Sequence, residues 1–364
     1  MRGERPDGGG RGIGAQASGA SDGPVWEGKA PAKVNLTLRV LAREAGGFHQ
    51  IETIFQALEL ADELRIELAD ELRIELEERP GDGGTEPPRI ELEMEGVGAD
   101  ALGRTKENLA VRAARLYCEA LVGAARNGWS ESTAAARVRP PVGGPDTVGG
   151  EGEGRPDIRI HLAKRIPHGA GLGGGSSDAA AVLRGLDELY SGALGRERLV
   201  KLGAELGADV AFFVLHTPRA LAWGRGDRLQ PLPALPRRPV LLALPPDPIG
   251  TPWAYRMLAE YRKAEGEGAA GGAVLEPSVL ETWEGMAGLA ENAFQAALEP
   301  LRPELAGMRR TLEKSGAEPA LLSGSGSAVF GVFSGEAAAR AAEEALREAV
   351  PGLLILRTAT AERL

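Results

Sequence analysis

The most informative stretch of this chain is Pro167-His168-Gly169-Ala170-Gly171-Leu172-Gly173-Gly174-Gly175-Ser176-Ser177-Asp178, and apolar residues at helical spacing follow it up to Leu189. Glycine lets the backbone approach a ligand closely and turn its N–H groups inward. The polar trio Ser176, Ser177 and Asp178 is typical of helix caps. Because a helix N-terminus favours a bound anion, this stretch, the glycine loop (residues 167–177), is predicted to bind a polyphosphate.

Other glycine-rich sequences fit these residues less well. A flexible linker is not normally bounded by a β-patterned run on one side and a capped helix on the other. The spacing Gly169-x-Gly171-x-x-Gly174 matches the dinucleotide fingerprint, but the strand-like run 158–162 does not lead directly into it. The acidic residues about 20 positions on lie inside the predicted helix. The chain contains no Gly-Lys-Ser or Gly-Lys-Thr, so the usual P-loop is excluded.

At these residues the chain resembles the GHMP kinase family, whose second motif has the form Pro-x-x-x-Gly-Leu-Gly-x-x-Ser-Ser. Two further segments are similar to that family's other motifs. They are Ala30-Pro31-Ala32-Lys33-Val34-Asn35-Leu36 near the N-terminus and, near the C-terminus, the second glycine motif, residues 322–330. The likeness extends from roughly residue 28 to the C-terminus and includes three shorter matches, Gly47-Phe48-His49, 206–210 and 291–294.

The resemblance implies an α+β fold with the two-domain architecture of GHMP kinases. The N-terminal domain (27–220) would be like domain 2 of ribosomal protein S5, the C-terminal domain (221–364) would be ferredoxin-like, and the active site would lie in the interdomain cleft. Periodicity is compatible with two α+β layers. It predicts strands at 34–41, 158–162, 239–244, 320–322 and 329–333, and helices at 108–121, 179–190, 196–205, 291–298 and 336–350.

Several segments depart from a compact two-domain pattern. Residues 1–26 are rich in Gly, Ser and Asp with almost no apolar pattern, which predicts a disordered tail. Residues 123–157 and 265–272 show a similar shift in composition and are predicted to be surface insertions.

A tandem octapeptide is a further departure, because residues 61–68 are repeated exactly at 69–76. The alternation of Leu64, Ile66 and Leu68 with charged residues favours a half-buried strand, although leucines four residues apart also suit a helix. The family pattern needs only one copy.

Composition limits the classes of function. With 364 residues, 43% of them hydrophobic, the chain is long enough for two domains with their own cores. It shows no signal peptide and no run of roughly 18 apolar residues, so we expect a cytoplasmic protein without a membrane partner. A single cysteine, Cys118, excludes an internal disulfide, and the four histidines show no zinc-site spacing. The net charge of −10 argues against a nucleic-acid partner.

The resemblance implies ATP and Mg²⁺ as cofactors, and it assigns the chemistry to two residues. Asp209 would activate the acceptor hydroxyl, and Lys33 would orient it and stabilise charge. By themselves the two residues also fit a surface lysine and a helix terminator, but both stand within independently matched motifs. The nucleotide would contact Pro167, Gly169, Ala170, Gly171, Leu172, Gly173, Gly174, Gly175, Ser176 and Ser177. Lys164 and Arg165 are further candidates for the phosphate pocket, although such residues more often form a solvated strand end.

The implied acceptor is a small molecule, a cytidine diphosphate-linked methylerythritol phosphorylated on its 2-hydroxyl during non-mevalonate isoprenoid biosynthesis. His49 would contact the cytosine beside Phe48, where the family more usually has Tyr. Tyr255 would lie near the base, Thr251 beside the phosphates, and Asn35 at the methylerythritol group. Two alternatives remain: another GHMP kinase, of the homoserine or mevalonate type, and a non-catalytic nucleotide-binding protein of the same fold.

Overall fold

Two long antiparallel strands form the centre of the first sheet. The computed structural model describes residues 23–44, 49–68, 88–98, 107–126, 158–266 and 276–364. Strand β1 (Val25–Arg43) pairs with β2 (His49–Leu68), with register shifts near Lys33 and Asn35. These irregularities re-aim side chains within the strand, as bulges do. The segment that carries Lys33 therefore lies in a central, buried strand.

Within the described ranges the first sheet has seven strands. Five of them lie side by side in the order β3-β4-β2-β1-β8, and the other two, β5 and β6, extend from β2, because β5 pairs with β2 and β6 pairs with β5. Its other strands are β3 (Ile90–Gly96), β4 (Ile158–Lys164), β5 (Arg219–Gly224), β6 (Arg228–Pro231) and β8 (Glu291–Asn292). The short β8 pairs in parallel with β1 at Thr37 and Leu38. Through β8, a segment far along the chain becomes part of the sheet that contains Lys33.

The second sheet is antiparallel in the order β11-β7-β10-β9. Its strands are β7 (Pro239–Leu244), β9 (Ala320–Leu322), β10 (Val329–Val332) and β11 (Leu354–Ala359). A buried apolar layer contains side chains from both sheets, among them Val34 and Ile54 from the first and Leu242 and Phe330 from the second. Burial of this layer joins the two halves of the molecule.

The helices are α1 (Leu109–Arg126), α2 (Gly174–Leu189), α3 (Gly195–Leu206), α4 (Ala208–Leu215), α5 (Thr251–Glu265), α6 (Trp283–Gly288), α7 (Gln295–Leu298), α8 (Pro303–Lys314) and α9 (Glu336–Ala349). A 3₁₀ helix spans Pro277–Glu281. In the core of the first sheet, Leu183 of α2 and Tyr117 of α1 cluster with Ile66 of β2. No helix in the part of the chain that the structure describes is both long and apolar enough to cross a membrane.

Most elements predicted from periodicity are present, and two predictions need correction. Helix α2 begins at Gly174, five residues before the predicted start, so Ser176, Ser177 and Asp178 lie in its first turns and do not cap it. The predicted helix 291–298 is wrong in its first half, because Glu291 and Asn292 form β8 and only Gln295–Leu298 is helical. Tertiary pairing with β1 overrides local helical spacing there.

The first copy of the octapeptide forms the end of β2. Leu64, Ile66 and Leu68 are buried, which confirms the strand interpretation and makes the helical alternative wrong for this copy. The second copy, 69–76, lies outside the described residues, as do residues 1–22, 127–157 and 267–275 of the predicted tail and insertions. Val25 and Trp26, assigned to the tail, begin β1. The boundary between the two domains, placed after residue 220 from the sequence, stays a prediction. This position lies within strand β5.

Candidate active site

A buried lysine and a half-exposed aspartate face each other where β1 meets α4. The side chain of Lys33 is 4% exposed, that of Asp209 is 34% exposed, and Lys33 Nζ lies 3.5 Å from Asp209 Oδ2. The Lys33 ammonium also donates to Asn35 Oδ1 at 2.8 Å and lies 5.6 Å from the centre of the Phe55 ring. The surface-residue alternative for Lys33 is therefore wrong.

Asp209 is held by the start of a helix. Gly207 separates α3 from α4, and Asp209 is in the first turn of α4, where a negative charge is favoured by the helix dipole. Residues 210–214 of α4 are buried, which fixes the helix on the core. Asp209 therefore begins a helix instead of ending one, with its carboxylate accessible to a ligand.

Asn35 joins the lysine to the neighbouring strand. Its side chain is buried, and its Nδ2 donates to Thr53 Oγ1 on β2 at 2.8 Å. The Thr53 hydroxyl in turn donates to the backbone oxygen of Thr37 at 2.6 Å. A buried network whose members are all satisfied holds its groups in one arrangement. The predicted substrate residue Asn35 thus lies directly beside Lys33 and orients it.

The glycine loop packs against the second glycine motif. Gly171 has a φ of +76°, and a Cβ there would lie 2.1 Å from the backbone oxygen of Ser323. The Ser323 hydroxyl donates to the oxygen of Gly171 at 2.9 Å, and the Ala328 N–H donates to the oxygen of Ala170 at 3.1 Å. Only glycine permits this close approach of two backbones.

The end of the glycine loop lies against Lys33. Gly173 caps α2 with a φ of +73°, and a Cβ there would lie 3.0 Å from Phe213 Cε2 and 3.1 Å from Lys33 Cγ. The backbone N–H of Lys33 donates to the oxygen of Leu172 at 2.9 Å. In the first turn of α2, the buried Ser177 Oγ has no hydrogen-bond partner among the described residues. A buried hydroxyl without a hydrogen-bond partner is consistent with a site that binds a polar ligand.

Lys164 does not contribute to a phosphate pocket, contrary to the sequence-based suggestion. It is buried, and its ammonium pairs with Asp62 and, at 2.7 Å, with Asp178. Burial alone would lower the pKa of the Lys164 ammonium. The charges and hydrogen bonds of Asp178 and Asp62 have the larger effect, so the pKa of Lys164 is raised above its ordinary value. Burial raises the pKa of Asp178 to about 7, against the lowering effect of the ammonium. The exposed Arg165 pairs with Glu63 at 3.0 Å.

An aromatic pair lies at the start of β2 and on α5. The rings of His49 and Tyr255 stack with centroids 4.3 Å apart, and Tyr255 meets Phe294 edge to face at 5.0 Å. Burial raises the pKa of the Tyr255 phenol, and the charge of Asp209 raises it further. The remaining aromatic candidate, Phe48, lies outside the described residues.

The N-terminus of α5 approaches the second glycine motif. The hydroxyls of Thr251 and Ser325 are 2.9 Å apart. The neighbouring Gly324 is so close to the lysine that a Cβ there would lie 3.4 Å from Lys33 Nζ and 3.6 Å from Asn35 Oδ1. The second glycine motif thus connects Thr251 with the Lys33 region.

Residues that position the second glycine motif were missed in the sequence. Asn292 is buried and donates from Nδ2 to the backbone oxygens of Leu322 at 2.7 Å and Gly324 at 2.8 Å. Gln295 Oε1 accepts from the Leu322 N–H at 2.9 Å. The short match at 291–294 was the available signal, but its local spacing suggested only a helix. Among the described residues there is no group of three or more His, Cys, Asp or Glu side chains suited to hold a metal ion.

Known proteins match this chain over most of its length. The family model for the GHMP kinases N terminal domain matches residues 134–217, and that for GHMP kinases C terminal matches residues 276–352. A relative from Solibacter usitatus named 4-diphosphocytidyl-2-C-methyl-D-erythritol kinase is 34% identical over 310 residues, covering 84% of this chain and 80% of the relative.

Solved structures show the same likeness. A crystal structure of 4-(cytidine 5'-diphospho)-2C-methyl-D-erythritol kinase matches with a TM-score of 0.62 and 34% identity, covering 92% of this chain and 99% of that one. Homoserine kinase from Cytophaga hutchinsonii has a TM-score of 0.60 at 15% identity, covering 95% of this chain and 97% of that one, and shares the fold alone. This chain belongs to the GHMP kinase family, among the relatives named 4-diphosphocytidyl-2-C-methyl-D-erythritol kinase.

Proposed function

We propose that this chain is an ATP-dependent kinase that phosphorylates the 2-hydroxyl of 4-diphosphocytidyl-2-C-methyl-D-erythritol. The observation that carries the proposal is the 3.5 Å distance between Lys33 Nζ and Asp209 Oδ2. Both glycine motifs come close to this lysine, at Gly173 and at Gly324. The 34% identity to relatives of that name supports this substrate over homoserine or mevalonate. The reaction supplies a phosphorylated intermediate for isoprenoid precursor synthesis.

ATP would bind through the glycine loop. The first N–H groups of α2 have no partners within the helix and carry the positive end of its dipole, which suits the negatively charged phosphates. The buried hydroxyl of Ser177 is available in the same turn. The proposed contacts with the nucleotide are Pro167, Gly169, Ala170, Gly171, Leu172, Gly173, Gly174, Gly175, Ser176 and Ser177. Mg²⁺ commonly enters such sites on the nucleotide phosphates with few protein ligands, and we propose this route here.

The chemical step depends on Asp209 and Lys33. The oxygen of the substrate 2-hydroxyl forms a bond to the γ-phosphorus, the bond from that phosphorus to the β,γ-bridging oxygen breaks, and ADP leaves. Asp209 Oδ2 accepts the hydroxyl proton. The ammonium of Lys33 stabilises the developing negative charge. Asn35 holds the ammonium in place through its 2.8 Å hydrogen bond.

Substrate recognition would come from the aromatic pair and the N-terminus of α5. The cytosine is proposed to bind against His49 and Tyr255, because an imidazole offers both a stacking face and hydrogen bonds. Phe48, next in sequence to His49, would add apolar surface. The hydroxyl of Thr251, at the N-terminus of α5, is suited to the substrate diphosphate. Asn35 would also contact the methylerythritol group.

The direct test is a coupled ADP-release assay with one alcohol at a time. The cytidylyl substrate, homoserine and mevalonate are supplied at equal concentrations with Mg²⁺ and ATP. We expect turnover with the cytidylyl substrate at least about 100-fold faster than with the others, because a site that hydrogen-bonds a substrate group strongly rejects analogues without it. Faster turnover of homoserine or mevalonate would assign the chain to another GHMP activity. ATP binding without any turnover would favour a non-catalytic nucleotide-binding protein.

A further inference from the structure

A buried cluster of charges lies at the base of the glycine loop, outside the proposed contacts with ATP and substrate. Its members are Asp62 on β2, Lys164 at the end of β4 and Asp178 in α2, and their side chains are 0%, 2% and 5% exposed. The Lys164 ammonium pairs with both carboxylates. We call these three residues the loop clamp.

The clamp holds the entrance of the glycine loop through its backbone. Asp62 Oδ1 accepts the N–H of Ile166 at 2.8 Å and also the N–H of Arg165. These two residues immediately precede Pro167, the first residue of the loop. A carboxylate that accepts two backbone N–H groups makes charge-assisted bonds of fixed direction.

The clamp holds the exit of the loop through the helix. Asp178 follows Ser177 directly and receives the Lys164 ammonium at 2.7 Å. A Cβ on Gly174 would lie 3.4 Å from Lys164 Nζ, so the ammonium also lies close to the first residue of α2. One lysine therefore connects the strand before the loop, the helix after it and the neighbouring strand β2.

Stability alone is a poor explanation of this arrangement. Removing three charged groups from water costs free energy, and a buried ion pair is often no more stabilising than apolar residues of similar volume. The cluster also holds two carboxylates for one ammonium, and Asp178 Oδ1 has no hydrogen-bond partner among the described residues. What the cluster does supply is a fixed distance between the two ends of the glycine loop.

We propose that Asp62, Lys164 and Asp178 are positioning residues that fix the two ends of the glycine loop and thereby set its affinity for the phosphates of ATP. This inference rests on the proposed function, since it takes the loop as the ATP site. None of the three clamp residues is among the proposed contacts with the second substrate, so we expect their loss to affect the nucleotide selectively.

The test compares Asp62→Ala with a matched control, Asp187→Ala. Asp62→Ala leaves the Lys164 ammonium paired with the Asp178 carboxylate, so no buried charge loses its last partner. It removes the acceptor of the Arg165 and Ile166 N–H groups at the loop entrance. Asp187 is also a buried carboxylate on α2, near the other end, where it accepts from Tyr117 Oη at 3.1 Å and the Leu194 N–H at 2.8 Å. Titration calorimetry with a non-hydrolysable ATP analogue and Mg²⁺, the KM of the cytidylyl substrate and the melting temperature are measured for each full-length variant.

We expect Asp62→Ala to raise the Kd of the analogue at least about tenfold and to leave the KM of the cytidylyl substrate within about twofold. Asp187→Ala should lower the melting temperature without changing the Kd. If Asp62→Ala folds poorly, Asp178→Asn serves as the second variant, because Asn keeps the shape and leaves Asp62 and Lys164 balanced. It should raise the Kd at least about threefold, because a neutral amide oxygen accepts from the ammonium more weakly than a carboxylate does.

Hydrogen exchange gives a readout besides binding. The amides of Arg165 and Ile166 should exchange faster in Asp62→Ala than in the wild type, because their acceptor is gone. Wild-type affinity for the analogue in both variants, with a melting temperature lowered as in the control, would overturn the clamp and leave the proposed function standing. A wild-type chain that binds no nucleotide would contradict the proposed function itself.

Discussion

Proton transfer is the step that depends most on a single side chain, that of Asp209. We predict that Asp209→Asn lowers kcat at least about 100-fold, because Asn keeps the shape of the side chain but cannot accept the hydroxyl proton. ATP affinity and melting temperature should stay near those of the wild type. The exposed Asp227, which accepts the Arg225 N–H at 3.1 Å, provides the control Asp227→Asn. A kcat near the wild-type value would remove Asp209 from the mechanism.

Recognition of the cytosine makes a separate prediction at His49. His49→Ala should raise the KM of the cytidylyl substrate about tenfold, through loss of a stacking face and a hydrogen bond, and leave the KM of ATP nearly unchanged. His161→Ala is the matched control, since His161 lies on β4 and pairs with Glu93 at 3.0 Å. Equal changes in both KM values would contradict a cytosine pocket at the His49–Tyr255 pair.

At the scale of an element, the turn from the glycine loop into α2 needs glycine at position 173. Gly173→Ala should weaken ATP binding at least about tenfold, because its Cβ would press on Lys33 and Phe213 in addition to straining a left-handed backbone. Gly192→Ala separates the two effects, since Gly192 has a φ of +76° but nothing within 4 Å of an added Cβ. We expect Gly192→Ala to cost roughly 1 kcal/mol of stability and no ATP affinity, by calorimetry. Equal ATP affinities in the two variants would contradict the close-packed loop.

The same element shows where the sequence was informative. Apolar spacing correctly predicted α2, because its buried face repeats with the helical period. Its start was misplaced, because Ser and Asp are read as caps from sequence while here Gly173 occupies the cap and Asp178 pairs with Lys164. Long-range partners decide such details, and they are invisible in local spacing. For the same reason the sequence offered Lys164 as a candidate for the phosphate pocket and did not indicate its partners Asp62 and Asp178.

At the scale of the whole molecule, Asn292 connects the second glycine motif to the first sheet. Asn292→Ala removes two hydrogen bonds to buried carbonyls and should reduce the free energy of unfolding by roughly 2 kcal/mol, with a rise in the KM of both substrates. Denaturant titration and steady-state kinetics check both effects. Gln230→Ala is the control, because Gln230 makes only a local contact at 3.3 Å on exposed β6. Unchanged kinetics would show that this connection does not position the site.

The two-domain fold was predictable from the sequence, because motifs with ordered spacing carry it, and the same motifs supplied the candidate site residues. The way in which separate elements assemble the site was not predictable from the sequence. Lys33, Asp209 and Tyr255 come from three separate elements, and the helices that carry Asp209 and Tyr255 pack in two different apolar clusters. The residues that hold this assembly, such as Asn292 and Ser323, make backbone contacts that no local pattern specifies.

The most direct measurement of the central claim is a ³¹P NMR spectrum of the reaction of the wild-type chain with ATP, Mg²⁺ and the cytidylyl substrate. Phosphorylation on the 2-hydroxyl places the new phosphate on a carbon that bears no hydrogen. The account predicts ADP and one new phosphomonoester in equal amounts, with no three-bond coupling to a carbon-bound proton. A monoester split by such coupling would place the phosphate on another hydroxyl, and release of ADP with free phosphate alone would contradict kinase activity on this substrate.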